Sequence, residues 1–314
     1  MHTSHLATAL ALCLIVLSSC SFPQGTSPSR QDQDQAVTQD GGATTPTDPL
    51  DGITADSRVV ALSRSVAEMW LLAGGQLAGV PDDALGLDGL DETAEGIGSL
   101  TQPDLERILA LQPDLVMLTE DLPSHQQMRA SLDEAQVPVL VVDVDSFDDY
   151  AQTMATLTTI TARDDLFDQN VTAVRAAIDE VLEHAAQPDR GSYLALNVSP
   201  TTSRALGDDD FACAMLDDMG LSNAADDMTL DAPTPDAIAT VDPDWVFVIY
   251  QGDLEQAQQA FQEAFSSDPA WSGLASVQAG HVVVLPKDLF QYKPNARWAS
   301  AYAYLSQVLN VSWA

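Results

Sequence analysis

Basic side chains are scarce. Lys and Arg number 12 against 47 Asp and Glu, giving a formal charge of −35 at neutral pH. So acidic a surface repels polyanions, which excludes nucleic acid as a partner and otherwise serves solubility. Cysteine is rarer still, with Cys13, Cys20 and Cys213. Cys13 falls in an N-terminal leader and Cys20 directly after it, which leaves Cys213 alone in the folded part, without a partner for an intrachain disulfide. Flanked by Phe211 and Met215, it reads as a small buried hydrophobe. Catalytic signatures are missing too: there is no GxSxG elbow, no GxxxxGK[ST] phosphate loop and no HxH or HExxH pair. Beyond the leader the histidines are His125, His184 and His281. No enzyme, cofactor or direct metal-ion centre is expected.

The one long apolar run lies at the start, Leu6 to Leu17 broken only by Thr8, and it ends in Leu17-Ser18-Ser19-Cys20. It is too short for a permanent span, and small residues before a cysteine mark a cleaved export signal. The segment resembles the lipobox of bacterial lipoproteins, although His2 and His5 stand where a Lys or Arg is usual. That resemblance implies removal of residues 1–19, acylation of Cys20 and an anchor on the extracytoplasmic face of the cell membrane. Residues 20–56, rich in Ser, Thr, Gln, Asp, Pro and Gly, cannot bury enough surface to offset their ordering entropy, and read as a tether. The folded part is expected from near Ser57.

From there short apolar runs alternate with helical patterns. Strands are predicted at Arg58–Leu62, Gln76–Val80, Asp114–Thr119 and Pro138–Asp143, with helices at Ser65–Ala73, Pro103–Leu111 and Ser124–Ala135. Residues 147–189 carry no strand signal, and Met154, Leu157, Val171, Val174, Ile178 and Val181 recur at helical spacing, with an interruption around Ala162–Asp165. Strands resume at Ser192–Asn197, Asp244–Tyr250 and His281–Leu285, among helices at Asp209–Met219, Pro235–Thr240, Glu255–Phe265 and Asn295–Leu309. The pattern is α/β, with two Rossmann-like lobes at 57–146 and 190–314 joined by a long α-helix and a ligand cleft between them.

An internal echo supports two lobes. Glu106-Arg107-Ile108-Leu109-Ala110-Leu111-Gln112-Pro113-Asp114-Leu115-Val116 is matched at constant offset by Asp236-Ala237-Ile238-Ala239-Thr240-Val241-Asp242-Pro243-Asp244-Trp245-Val246. Each is a short helix leading through Pro-Asp into a buried strand. Glu106 falls opposite Asp236, both in a first helical turn, where the macrodipole alone favours acids.

Arg58-Val59-Val60-Ala61-Leu62-Ser63 with Glu68 behind it, Gly98-Ser99 before Pro103-Asp104-Leu105-Glu106, the run Leu109 to Val116, and Val282-Val283-Val284-Leu285-Pro286 resemble the substrate-binding proteins of iron–siderophore, haem and cobalamin ABC importers, over residues 57–310. The resemblance implies a monomer with a rigid interlobe helix that carries a metal chelate, foremost an iron–siderophore, to a permease driven by an ATPase. It also implies that Glu106 and Asp236 meet permease arginines. Asp236, a methylene shorter than the usual Glu, departs from the pattern. A surface-anchored hydrolase and a non-transport binding module are the alternatives.

For the ligand, Lys287 to Trp298 holds the chain's only two lysines, Lys287 and Lys293, together with Arg297, Phe290, Tyr292 and Trp298. Cations beside rings suit an anionic, flat or aromatic ligand. Equally, such a loop caps helix ends while Phe290 and Trp298 pack inward. Strand-to-helix junctions add Arg64, Arg204, Tyr250 and Gln251. His125 and Met128, one turn apart, are weak candidates for an iron ligand.

Overall fold

Runs such as Val59–Ala61 and Leu115–Leu118 are apolar at every position, the pattern of parallel strands covered on both faces. The computed structural model describes residues 50–185, 190–229 and 231–310. In chain order it contains β1 (Val59–Ala61), α1 (Arg64–Leu72), β2 (Leu77–Val80), β3 (Glu95–Gly96), β4 (Gly98–Ser99), β5 (Gln102–Pro103), α2 (Leu105–Ala110), β6 (Leu115–Leu118), α3 (Pro123–Glu134) and β7 (Val139–Val141). The connecting region comprises α4 (Phe147–Thr161), α5 (Asp164–Phe167) and α6 (Ala173–Ala185). There follow β8 (Ser192–Val198), β9 (Ser203–Ala205), α7 (Phe211–Asp218), β10 (Ser222–Asn223), α8 (Pro235–Val241), β11 (Trp245–Tyr250), α9 (Leu254–Phe261), α10 (Pro269–Gly273), α11 (Ala275–Gln278), β12 (Val282–Val284), α12 (Lys287–Phe290) and α13 (Trp298–Asn310).

One sheet runs β3-β2-β1-β6-β7 with every pairing parallel. The other runs β10-β8-β11-β12, again parallel, with β9 antiparallel beside β8. In each lobe the chain moves outward from its first strand and then returns to that strand's other side, which leaves a reversal of strand order between β1 and β6, and between β8 and β11. Side chains alternate with the pleat. Val59, Ala61, Leu115 and Met117 enter a core that also holds Tyr193, Ala195, Trp245 and Phe247 from the second sheet. Val60, Leu62, Val116 and Leu118 face a separate outer core, and Leu194, Leu196, Val246 and Val248 face another. The inner faces of both sheets therefore share one continuous core.

That core also takes Met154, Leu157, Val171, Val174 and Ile178 from the connection. Its helix is broken at Ala162, which adopts φ 55° at the end of α4, and a wider turn at Asp168–Thr172 leads into α6. Leu50 and Ile53 pack against the same core, so packing begins ahead of Ser57, where a tether was expected to end. Residues 20–49 of that tether, Cys20 among them, and the leader lie outside the described residues. Among those described, no helix is long and apolar enough to cross a membrane.

The sequence echo has a backbone counterpart. Gln112 (φ 50°) and Asp242 (φ 41°) occupy the left-handed region at matching positions after α2 and α8. Two residues on, Asp114 Oδ2 accepts from the Arg58 amide at 2.8 Å and Asp244 Oδ2 accepts from the Ser192 amide at 2.7 Å. Each aspartate thereby fastens the start of its lobe's first strand. At Gly191 (φ 89°) a Cβ would lie 2.4 Å from Asp244 Oδ2, so the second fastening requires glycine there.

The last segment crosses between the lobes. The Lys293 amide donates to Ser65 Oγ at 3.1 Å, and Asn295 Nδ2 donates to Ser65 O at 3.1 Å and to Glu68 Oε2 at 2.7 Å. Arg297 pairs with the same Glu68 at 3.2 Å, after which α13 packs along α6.

Candidate functional site

Parallel strands place the loops at their carboxyl ends together, and a reversal of strand order leaves a crevice between such loops. Both reversals open onto one cleft of about 440 Å³, a size suited to a small molecule. Ser63 and Arg64 enter it after β1, Thr119 and Asp121 after β6, Asn197 from β8 and Gln251 after β11. Ser63 caps α1, accepting from the Val66 amide at 3.3 Å, and this sets Arg64 in the first turn at the cleft. The cleft's hydroxyls serve the fold: Ser65 accepts the Lys293 amide, and Thr119 Oγ1 accepts the Asp121 amide at 3.3 Å.

On one side Arg64 donates to the Asp83 carbonyl, and its guanidinium carbon lies 5.4 Å from the centre of the Tyr292 ring. Lys287 Nζ is 5.6 Å from that ring centre. The Tyr292 hydroxyl reaches Asp83 Oδ2 at 3.5 Å. Burial and the Asp83 carboxylate push the Tyr292 phenol pKa up, although Arg64 pulls the other way. Toward the floor, Lys293 donates to the Val144 carbonyl, pairs with Asp145 at 3.4 Å and stands 5.2 Å from the Phe211 ring centre. Asp210 caps α7 through the Ala212 amide at 2.8 Å. Burial pushes the carboxyl groups of Asp143, Asp145 and Asp210 up, and Lys293 offsets this only in part.

Arg64, Arg204, Gln251, Phe290, Tyr292 and Lys293 are thus brought together around one cleft. Other expected residues stand elsewhere. Tyr250 lies on the opposite face of β11, edge-on to Phe261 at 6.0 Å, because one residue along a strand reverses the direction of the side chain. Trp298 has no exposed surface and packs among Phe147, Tyr150 and Phe211 beneath the cleft. Arg297, held by Glu68, lines a separate pocket behind α1. Phe290 is almost wholly buried and forms part of the wall.

The iron-ligand candidates are also displaced. His125 is fully buried, with Nε2 3.0 Å from the Leu100 carbonyl, and burial pushes its pKa down. Met128 belongs to the outer core of the first lobe. Among the described residues no group of three or more His, Cys, Asp or Glu is arranged to hold a metal ion. Asp83, Asp121 and Asp210 went unnoticed in the sequence, although Asp121 follows a strand end as directly as Arg64 does.

Glu106 and Asp236 are exposed in the first turns of α2 and α8, helices capped by Asp104 and Thr234. Neither acid enters an ion pair among the described residues, whereas neighbouring Arg107 pairs with Asp104 at 3.4 Å. Helices that lead into parallel strands run antiparallel to them, so both first turns lie at the cleft edge of their sheets.

The family model described as periplasmic binding protein matches residues 59–289. Several solved structures share the fold. An ABC transporter substrate-binding protein from Listeria monocytogenes superposes with a TM-score of 0.69 at 19% identity, covering 81% of this chain and 99% of its own. IsdE of Staphylococcus aureus, complexed with haem, gives 0.70 at 16% identity, with coverage of 82% and 100%. SirA of the same species, complexed with staphyloferrin B, gives 0.64 at 16%, with coverage of 82% and 94%. A search of curated proteins finds no match.

Proposed function

Because the chain belongs to the periplasmic binding protein family, matched over most of its length, we propose that it is the lipid-anchored, extracytoplasmic substrate-binding protein of an ABC importer. It captures a metal chelate, foremost an iron–siderophore, with haem and cobalamin as the other two members of the class, and hands it to the permease. The observation that carries this reading is the cleft: two reversals of strand order face each other, and each lobe contributes an arginine to the lining, Arg64 and Arg204. Arg64, Arg204, Gln251, Tyr292 and Lys293 form the capture surface, with Phe290 as its wall.

No bond is made or broken in this role. The chelate settles between the lobes, and the loaded protein docks through Glu106 and Asp236. Their exposure, and the lack of an ion pair to either among the described residues, suit charges that meet a partner's arginines, where rim charges govern encounter and register more than affinity. Acylated Cys20 holds the protein at the membrane as a monomer.

The test is double charge reversal, Glu106→Lys with Asp236→Lys, in cells that depend on the chelate for growth. Uptake is expected to fall to background while affinity for the chelate in solution stays unchanged. Uptake at the unaltered level would overturn the docking role, and loss of affinity would move these acids into the capture site.

A further inference from the structure

The way in which the cleft's bases are already engaged bears on the charge of the ligand, granted that this cleft is the capture site argued above. Arg64, Arg204 and Lys293 line it, and each has an acceptor inside the protein. Arg64 donates to the Asp83 carbonyl and lies over the Tyr292 ring. Lys293 donates to the Val144 carbonyl and pairs with Asp145. Arg204 stands at the rim, 3.8 Å from Asp231.

Against these bases the lining sets three acids, Asp83, Asp121 and Asp210. Behind them, Asp143 and Asp145 share the field of Lys293 with Asp210, so one ammonium answers to three carboxylates. Burial raises the pKa of all three, which marks negative charge short of compensation. An approaching cation supplies that compensation, and an approaching anion deepens the deficit. The remaining wall, including Val144, Phe211 and Ile249, is apolar. A polyanion desolvated against this floor would meet carboxylates that outnumber the ammonium of Lys293.

We propose that the cleft selects ferric complexes of zero or positive net charge, of the trihydroxamate class, and discriminates against polyanionic tricatecholate and polycarboxylate complexes. In this arrangement Arg64 and Arg204 donate hydrogen bonds to the oxygens around the iron while keeping their internal partners. Asp121 and Asp210 face the ligand's positive or hydrogen-donating side.

Calorimetric titration of the whole chain in detergent, with ferrioxamine B, ferric enterobactin, ferric citrate, haemin and cyanocobalamin, tests this directly. Ferrioxamine B, a cationic trihydroxamate, is expected to bind at least about tenfold tighter than trianionic ferric enterobactin. Its affinity should fall as salt screens the contact. Asp121→Asn, at an exposed position, should weaken ferrioxamine B by roughly tenfold and narrow the gap. Equal affinities, or a preference for either anionic complex, would overturn the charge assignment while leaving the transport reading in place. Tightest binding of haemin or cyanocobalamin would overturn it likewise. If none of the five binds, the capture reading itself fails and this inference with it.

Discussion

Asp210 holds the first turn of α7 through the Ala212 amide while burial pushes its carboxyl pKa up. A carboxyl whose folded pKa exceeds its unfolded one contributes stability that is fully present below the unfolded value and is lost as pH rises through the folded value. At neutral pH the buried carboxyl group therefore weighs against the fold. Asparagine caps a helix equally well without the charge. Asp210→Asn is accordingly expected to melt at a higher temperature than the unaltered protein at pH 7.5, and the advantage should vanish near pH ~3.5. Calorimetric melts at the two pH values check this, and a lower neutral melting temperature would mean that attraction to Lys293 outweighs the burial. Single residues were also where the sequence was hardest to read. Position after a strand was enough to place Arg64, Arg204 and Gln251 at the cleft. Tyr250 was misplaced because period-two alternation says that it faces away from Ile249 without saying which face is the cleft. Arg297 looked like a free cation because its partner, Glu68, lies 229 residues away.

At the scale of elements, the helix-to-strand repeat was legible as an echo of residue types, since its short helix, Pro-Asp corner and apolar strand are all local. The structure gives the corner a task. Asp114 and Asp244 bridge to the amides that open β1 and β8, partners 56 and 52 residues back, a separation that no local pattern carries. Asp114→Ala and Asp244→Ala should each lower stability by about 1–2 kcal/mol, the range for a hydrogen bond to a charged group after allowing for exposure. Urea unfolding measures the loss. An effect confined to one of the two would show that the lobes do not use the corner alike. The short elements β3, β4, β5 and β10, two residues each, carried no periodic signal because pairing with neighbours, and not an apolar pattern, defines them. The break at Ala162 was visible in the loss of apolar spacing, whereas its left-handed backbone was not.

Taken whole, the molecule has two sheets over one shared core, with the segment after α12 bound to α1 of the opposite lobe. A shared core and a bridging segment resist hinge opening, so loading with ligand should change the radius of gyration by under about 1 Å, a shift that small-angle scattering resolves from a true hinge closure. The two-lobed architecture was readable because alternation and the echo repeat along the chain. The bridge was not, because it unites Ser65 with Lys293 and Asn295 across 228 and 230 residues. That distance also orders events in time. Parallel strands need crossovers, and contacts between remote segments form slowly. The chain emerges from its N-terminus, so α1 is present before Lys293 to Arg297 arrive. Until they arrive, Ser65 and Glu68 lack the partners that complete the first helix's surroundings, so the N-terminal lobe waits on the last tenth of the chain to reach its final form. A truncation near the C-terminus would therefore be felt first at the opposite end of the sequence.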